Sequence, residues 1–282
     1  MILDTIARSA GKRVEQRKQV KPLEQVMKEA FKCREREGIK REDIKGEDGT
    51  GGGYSFKAAL SKPGVSFICE VKKASPSKGL IAPDFPYVEI ARQYQEAGAD
   101  AVSVLTEPEF FLGADRYLEE IHREIELPLL RKDFIVDEYQ IYEAKVLGAS
   151  AVLLICSLMD MEKLKRYMGI CGSLGLSSLA EAHTDREVAM AAEAGADIIG
   201  INNRNLETFE VDFTNALRLR KLVDQGTIFV AESGIRTAKD IKALAEAQVN
   251  AVLIGETLMR APDRKMALAG LRGNEGAIPI RS

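Results

Sequence analysis

Four short stretches of this chain echo one another: AGADAV (97–102), LGASAV (147–152), AGADII (194–199) and AQVNAV (247–252). They recur roughly every 50 residues, and a fixed period of that size marks a chain assembled from repeated supersecondary units. Each follows a helix-like segment and leads into a short apolar run, AVSVL, AVLLI, DIIGI or AVLIG. A small turn-forming pair followed by a β-branched run is how an αβ loop feeds a buried parallel strand. One βα unit needs only about 30 residues, so each interval must hold a second strand. VSFICEV (65–71) precedes the first echo, and LPLLRKDF (127–134), LGLSSLAEA (174–182) and TIFVAES (227–233) fill the gaps.

Between these eight strands lie helical segments such as DFPYVEIARQYQEA, DMEKLKRYMGIC, TDREVAMAAEA and RTAKDIKALAEA, several opening on Asp or Thr, which cap helix N-termini. Eight alternating units predict an α/β fold, a (β/α)8 TIM barrel with an N-terminal helical extension. An open doubly wound sheet is the alternative, which the fourfold echo disfavours. The whole chain, 1–282, reads as one domain, with the extension and its linker over 1–60 and the barrel over 61–282. Within the extension, ILDTIARSAGKRVEQRKQV (2–20) and PLEQVMKEAFKCRERE (22–37) read as amphipathic helices, and the glycine-rich 47–55 as a mobile linker. The two helices either cover the N-terminal face of the barrel or form a lid on its active face.

Hydrophobic residues make up 45% and charged residues 29%, an ordinary globular composition able to bury a large core. With 40 basic against 43 acidic residues, nothing in the charge calls for a nucleic acid or an anionic membrane. Cys33, Cys69, Cys156 and Cys171 show no C-x-x-C spacing and read as small hydrophobes of a reducing compartment. The first residues mix charge with apolar side chains, unlike a signal peptide, and no apolar run is long enough to span a bilayer. The expected location is the cytoplasm.

Barrel strands deliver functional groups at their C-terminal ends. Those ends place Glu70 and Lys72 on one face of the first strand, Lys132 and Asp133 on the third, and Glu181 on the fifth. The sixth contributes Asn202 and Arg204, the seventh Glu232, Ser233 and Gly234, and the eighth Gly255 and Glu256. An unpaired charge is costly to bury, so Glu70, Lys72, Lys132, Glu181 and Glu232 in otherwise apolar strands point to acid–base chemistry. The loops after the seventh and eighth strands form the usual phosphate cradle of such barrels. Here Ser233, Gly234, Gly255 and Glu256 occupy it, with Ser75 and Ser77 of SPSKG closing it from the first strand. Two lysines among the carboxylates oppose a divalent cation, so no metal is expected. His122 reads as a surface residue and His183 as a loop residue beside the fifth strand.

Taken in order, ICEVKKASPSKG, LLRKDFIVDEYQIYEA, LAEAHT, GINNRNLETFEVD, VAESGI and AVLIGETLMR resemble the successive motifs of the indole-3-glycerol-phosphate synthase family. The resemblance covers nearly the whole chain. It implies ring closure, decarboxylation and dehydration of 1-(2-carboxyphenylamino)-1-deoxyribulose 5-phosphate, a step of tryptophan biosynthesis needing no cofactor. Carried over by motif, Lys132 is the general acid on the substrate ketone and Lys72 the partner of the anthranilate carboxylate. Glu181 is the base of the dehydration, Glu70 a further catalytic carboxylate, and Asn202 an orienting residue. A lysine with a depressed pKa would suit the proton donation. Phe110, Phe111, Phe134 and Leu206 are candidates to sandwich the aromatic ring, or simply core. Departures are mild. Cys69 and Cys156 replace other small strand residues, and the sequence ends soon after the eighth unit, so no fused second barrel is expected. A class I aldolase using Lys132 as Schiff-base nucleophile and a non-catalytic sugar-phosphate binder are the competing readings.

Overall fold

The computed structural model describes residues 2–38 and 55–273. Eight parallel strands close into a barrel: β1 (Ser66–Val71), β2 (Ala101–Leu105), β3 (Leu129–Lys132), β4 (Ala151–Ile155), β5 (Ser177–Ala182), β6 (Ile198–Asn202), β7 (Ile228–Glu232) and β8 (Ala251–Ile254). Each pairs with its sequence neighbours, and β1 closes the circle on β8 through Ser66↔Ala251 to Cys69↔Ile254. The eight echo-derived strands are all present. Cys156 differs from its expected place, because it opens a 3-10 turn (Cys156–Leu158) just past β4.

Alternation along the strands sorts the core into two. Phe67, Cys69, Val102, Val104, Val152, Leu154, Ile199 and Phe229 face outward and meet the helices. Ile68, Leu130, Leu153, Leu179, Ile198, Val230 and Leu253 face inward and fill the barrel. Two residues further along the same inward rows stand Glu70, Lys132, Glu181, Glu232 and Gly255, because successive side chains of a strand alternate faces. The lower barrel is therefore an apolar plug and its last inward layer carries the charge.

The outer helices are α4 (Tyr87–Glu96), α5 (Asp115–His122), α6 (Tyr139–Val146), α7 (Met161–Ser173), α8 (Asp185–Glu193), α9 (Thr214–Leu219), α10 (Ala238–Glu246), α11 (Glu256–Met259) and α12 (Arg264–Leu271). Asp160, Thr184, Thr237 and Asp263 accept backbone N–H bonds as N-caps of α7, α8, α10 and α12. The sequence pattern does not separate α11 from α12, nor does it reveal the two-stranded ribbon Ala74–Ser75/Gly79–Leu80 in the loop after β1.

The extension serves both ends of the barrel. α1 (Ile2–Val20) lies across the C-terminal end, where Ile6 and Ala10 join the interior core. Its basic side chains pin it there: Arg13 to Glu107 at 3.2 Å, Arg17 to Asp115 at 2.6 Å and Lys18 to Asp137 at 2.7 Å. α2 (Leu23–Arg36) runs along the flank, with Phe31 against Tyr142 and Arg34 donating to the Ser173 carbonyl. α3 (Ser55–Leu60) closes the N-terminal end with Phe56 and Leu60, tied by Lys57–Asp197 at 2.9 Å. The glycine-rich stretch before Ser55 lies outside the described residues. Among the described residues no helix is long and apolar enough to cross a membrane.

Candidate active site

A cavity of about 540 Å³ opens at the C-terminal end of the barrel. Twelve of the residues singled out from the sequence as candidate catalytic or substrate-binding groups line it: Glu70, Lys72, Ser75, Lys132, Glu181, Asn202, Arg204, Glu232, Ser233, Gly234, Gly255 and Glu256. They come from β1, β3, β5, β6, β7 and β8 or the loops that follow. No local sequence segment holds this site; closure of the barrel does.

Lys132 is its hub. Its Nζ donates to Glu181 Oε2 at 3.0 Å and to Glu232 Oε2 at 3.1 Å. Burial alone would depress the Lys132 ammonium, but Glu181, Glu232 and Glu70 outweigh it and hold its pKa well above the ordinary lysine value. The expected depressed lysine is thus corrected: this group stays charged. The shared cation divides its two partners. Burial works against ionised Glu181, yet Lys132, His183 and Asn202 keep its pKa below the ordinary carboxylate value. Glu232 is pushed up to about 7 by burial and by the neighbouring Glu181 charge, against the pull of Lys132. Its Oε1 is buried with no hydrogen-bond partner among the described residues.

Across the cavity, Lys72 donates to Glu70 Oε2, a pair built two residues apart on β1. Two glycines make room for these clusters. A Cβ on Gly200 would overlap Glu232 Oε1, and one on Gly255 would overlap Glu70 Oε2 and Lys72 Nζ. Asn202 accepts from the Arg204 backbone N–H at 3.0 Å and from Ser233 Oγ at 2.9 Å, joining β6 to β7.

The loop after β7 turns through two successive positive φ angles, Ser233 at 67° and Gly234 at 79°. Such backbone is strained for serine, and strain of this kind concentrates at functional sites. Ser75 and Ser77 stand 3.5 Å apart on the β1 loop. Glu256 faces cations: Arg260 at 3.1 Å, Lys78 at 3.6 Å and Arg204 at 3.9 Å. At the other end Phe111 and Phe134 face each other at 6.0 Å between centroids and line the cavity with Leu206. Phe110 instead packs on the interior core.

Asp133 also borders the cavity, but Thr106 Oγ1 and the Phe134 N–H donate to its two oxygens, and Arg131 lies at 3.3 Å. The exposed His122 is remote from the cavity wall. Among the described residues no three His, Cys, Asp or Glu are grouped to hold a metal ion. Sequence reasoning missed Ile2, Leu3 and Ile6 of α1 and Arg236, Thr237 and Arg260, which complete the wall. It also missed Arg131, wholly buried among Asp115, Asp133 and Glu143 on the outer side of β3. The signal that found Lys132, a charge inside an apolar strand, applies equally to Arg131.

These features belong to a (β/α)8-barrel enzyme with paired lysines and glutamates gathered at the C-terminal ends of its strands. The family model described as indole-3-glycerol phosphate synthase matches residues 3–271. The indole-3-glycerol phosphate synthase of Ruminiclostridium cellulolyticum is 52% identical over 274 residues, covering 97% of this chain and 100% of its own. That of Lachnoclostridium phytofermentans is 50% identical, covering 96% and 99%. The chain belongs to the indole-3-glycerol phosphate synthase family. Its fold is shared more widely. The 3-hexulose-6-phosphate synthase of Salmonella typhimurium superposes with a TM-score of 0.61 at 13% identity, over 74% of this chain and 98% of that one. Thiamine phosphate pyrophosphorylase of Pyrococcus furiosus gives 0.56 at 18%, over 78% and 96%.

Proposed function

We propose that the cavity closes the indole ring of 1-(2-carboxyphenylamino)-1-deoxyribulose 5-phosphate, yielding indole-3-glycerol phosphate, carbon dioxide and water. The observation that carries this reading is the ammonium of Lys132 between Glu181 and Glu232, with the Lys72–Glu70 pair across the cavity. The substrate's phosphate occupies the cradle of Ser233, Gly234, Gly255 and Ser75, with Arg204 near, while its aromatic ring lies toward Phe111, Phe134 and Leu206. Lys72 meets the anthranilate carboxylate.

The aromatic carbon bearing that carboxylate attacks the ketone carbon, and the ketone oxygen takes a proton from Lys132. Loss of carbon dioxide returns the electron pair to the ring and restores aromaticity. The resulting hydroxyl leaves as water with a proton from the lysine side, while Glu181 removes the proton whose loss forms the double bond. Glu70 holds Lys72 in place through their ion pair, and Asn202 orients the substrate. Glu256 supplies counter-charge to the cations of the phosphate end rather than a ligand, since a carboxylate repels a phosphate.

A Schiff-base aldolase fits less well, because its nucleophile must be a neutral amine and two carboxylates keep Lys132 protonated. Supplying the anthranilate–deoxyribulose phosphate and following indole fluorescence tests the reading. Folded protein without signal would overturn it, as would a Lys132→Ala variant with undiminished turnover.

A further inference from the structure

His183 stands just past β5, two residues after Glu181, and forms no part of the cavity wall. Its ring lies between two carboxylates. Nε2 is 3.8 Å from Glu181 Oε1 and Nδ1 is 3.6 Å from Glu187 Oε2. Nε2 is buried and has no hydrogen-bond partner among the described residues. The two oxygens of Glu181 therefore face different cationic groups: Oε2 meets Lys132 inside the barrel and Oε1 meets the imidazole behind it.

The frame around the ring is fixed. Glu187 Oε2 accepts the His183 backbone N–H at 2.7 Å, and the Glu187 N–H donates to Thr184 Oγ1, the cap of α8. Asn215 Nδ2 donates to the His183 carbonyl at 3.2 Å. Backbone bonds on both sides fix the main chain from which the imidazole projects. Beyond Glu181 and Glu187, Glu232 on β7 acts on the ring from farther off, while Lys132 on β3 meets the other oxygen of Glu181. The Cys156 thiol after β4 feels the charges of the same carboxylates, and burial raises its pKa.

We propose that His183 is a positioning residue for Glu181, whose imidazolium, braced by Glu187, faces Oε1 and leaves Oε2 directed into the cavity as the base. The inference rests on the reading of Glu181 as base and adds what keeps it competent. Once Lys132 has given its proton to the ketone oxygen, it no longer counters the Glu181 charge. His183 is then the cation that remains beside that carboxylate, so Glu181 stays ionised for the dehydration. The charge balance agrees: burial opposes the imidazolium, but Glu187, Glu181 and Glu232 together raise the His183 pKa above the ordinary value of 6.5.

The chain has 2 histidines, so a His122→Gln background leaves a single imidazole for NMR with carbon-labelled histidine. Its titration midpoint is expected above 6.5, falling on Glu181→Gln and again on Glu187→Gln. His183→Gln keeps a donor but removes the charge. It is expected to lower kcat on the order of tenfold, leave KM nearly unchanged, and move the acid limb of the kcat profile up by about one pH unit. A midpoint unmoved by Glu181→Gln, in a variant that has lost turnover, overturns the His183 inference alone. So does His183→Gln with the parent pH profile. Full turnover in Glu181→Gln instead overturns the base reading beneath it.

Discussion

Lys132 Nζ lies 3.1 Å from Glu232 Oε2, although β3 and β7 stand on opposite sides of the barrel. The pair spans the mouth, and Glu181 from β5 joins it from between. Replacing Lys132 by Met keeps most of the volume and removes the charge. Turnover is expected to fall by about 10²–10⁴-fold, the usual worth of a positioned acid. Two buried carboxylates then lose their cation, so the variant melts lower at neutral pH and regains stability on acidification as they protonate. Thermal melts across pH, beside single-turnover rates, check both halves.

Glu232 gives a stability signature of the opposite sign to an ordinary acid. Its folded pKa is raised from 4.5 to about 7, so the native state binds the extra proton between those values. The contribution is fully present below about 4.5 and is lost as pH rises through about 7. Glu232→Gln removes this titration. The melting temperature of the parent should drop relative to the variant across that window; parallel curves would contradict the assignment.

Gly255→Ala places a methyl against the tips of Glu70 and Lys72, which are flexible ends rather than backbone. The fold is expected to survive while the pair shifts by a fraction of an ångström to an ångström. A displacement of that size costs up to about 10²-fold in rate. Circular dichroism unchanged with kcat reduced is the expected outcome.

Arg17 ties α1 to Asp115 and Glu143, the same carboxylates that hold the buried Arg131. Arg17→Ala leaves Arg131 in place, so the barrel remains intact while α1 loosens. Partly exposed pairs contribute about 0.2–1 kcal/mol each. The expected result is a melting temperature lower by a few degrees, about 2–4 °C per kcal/mol. KM should rise and depend more on salt, read from steady-state kinetics at two ionic strengths.

Glu256→Gln releases Lys78, Arg204 and Arg260 from their counter-charge. Inorganic phosphate, as a competitive inhibitor, should then bind several-fold more tightly, on the scale of one partly screened charge. Unchanged or weaker inhibition would place the phosphate elsewhere.

Much of this site was legible before any coordinates. A charge in an apolar strand has few structural excuses, and that rule alone collected Glu70, Lys72, Lys132, Glu181 and Glu232. It could not rank them. Asp133, equally conspicuous in LLRKDF, is consumed by Thr106 and a backbone N–H, a fact that depends on which face of β3 it leaves by. Nor could it tell Lys132, facing inward, from Arg131, facing outward into its own carboxylate cluster.

The sequence by itself determined the alternation of strands and helices, hence which side chains form the inward row and where each row ends in charge. Local spacing settles such matters, because pleat and helical period are properties of neighbouring residues. Only the tertiary structure decided who meets whom. Barrel closure brought Lys132 to two carboxylates 49 and 100 residues away. That meeting reversed the expected lysine shift, because fixed charges at hydrogen-bonding distance outweigh burial. It also set α1 over the mouth and α3 beneath the floor, by side-chain pairs that no local pattern encodes.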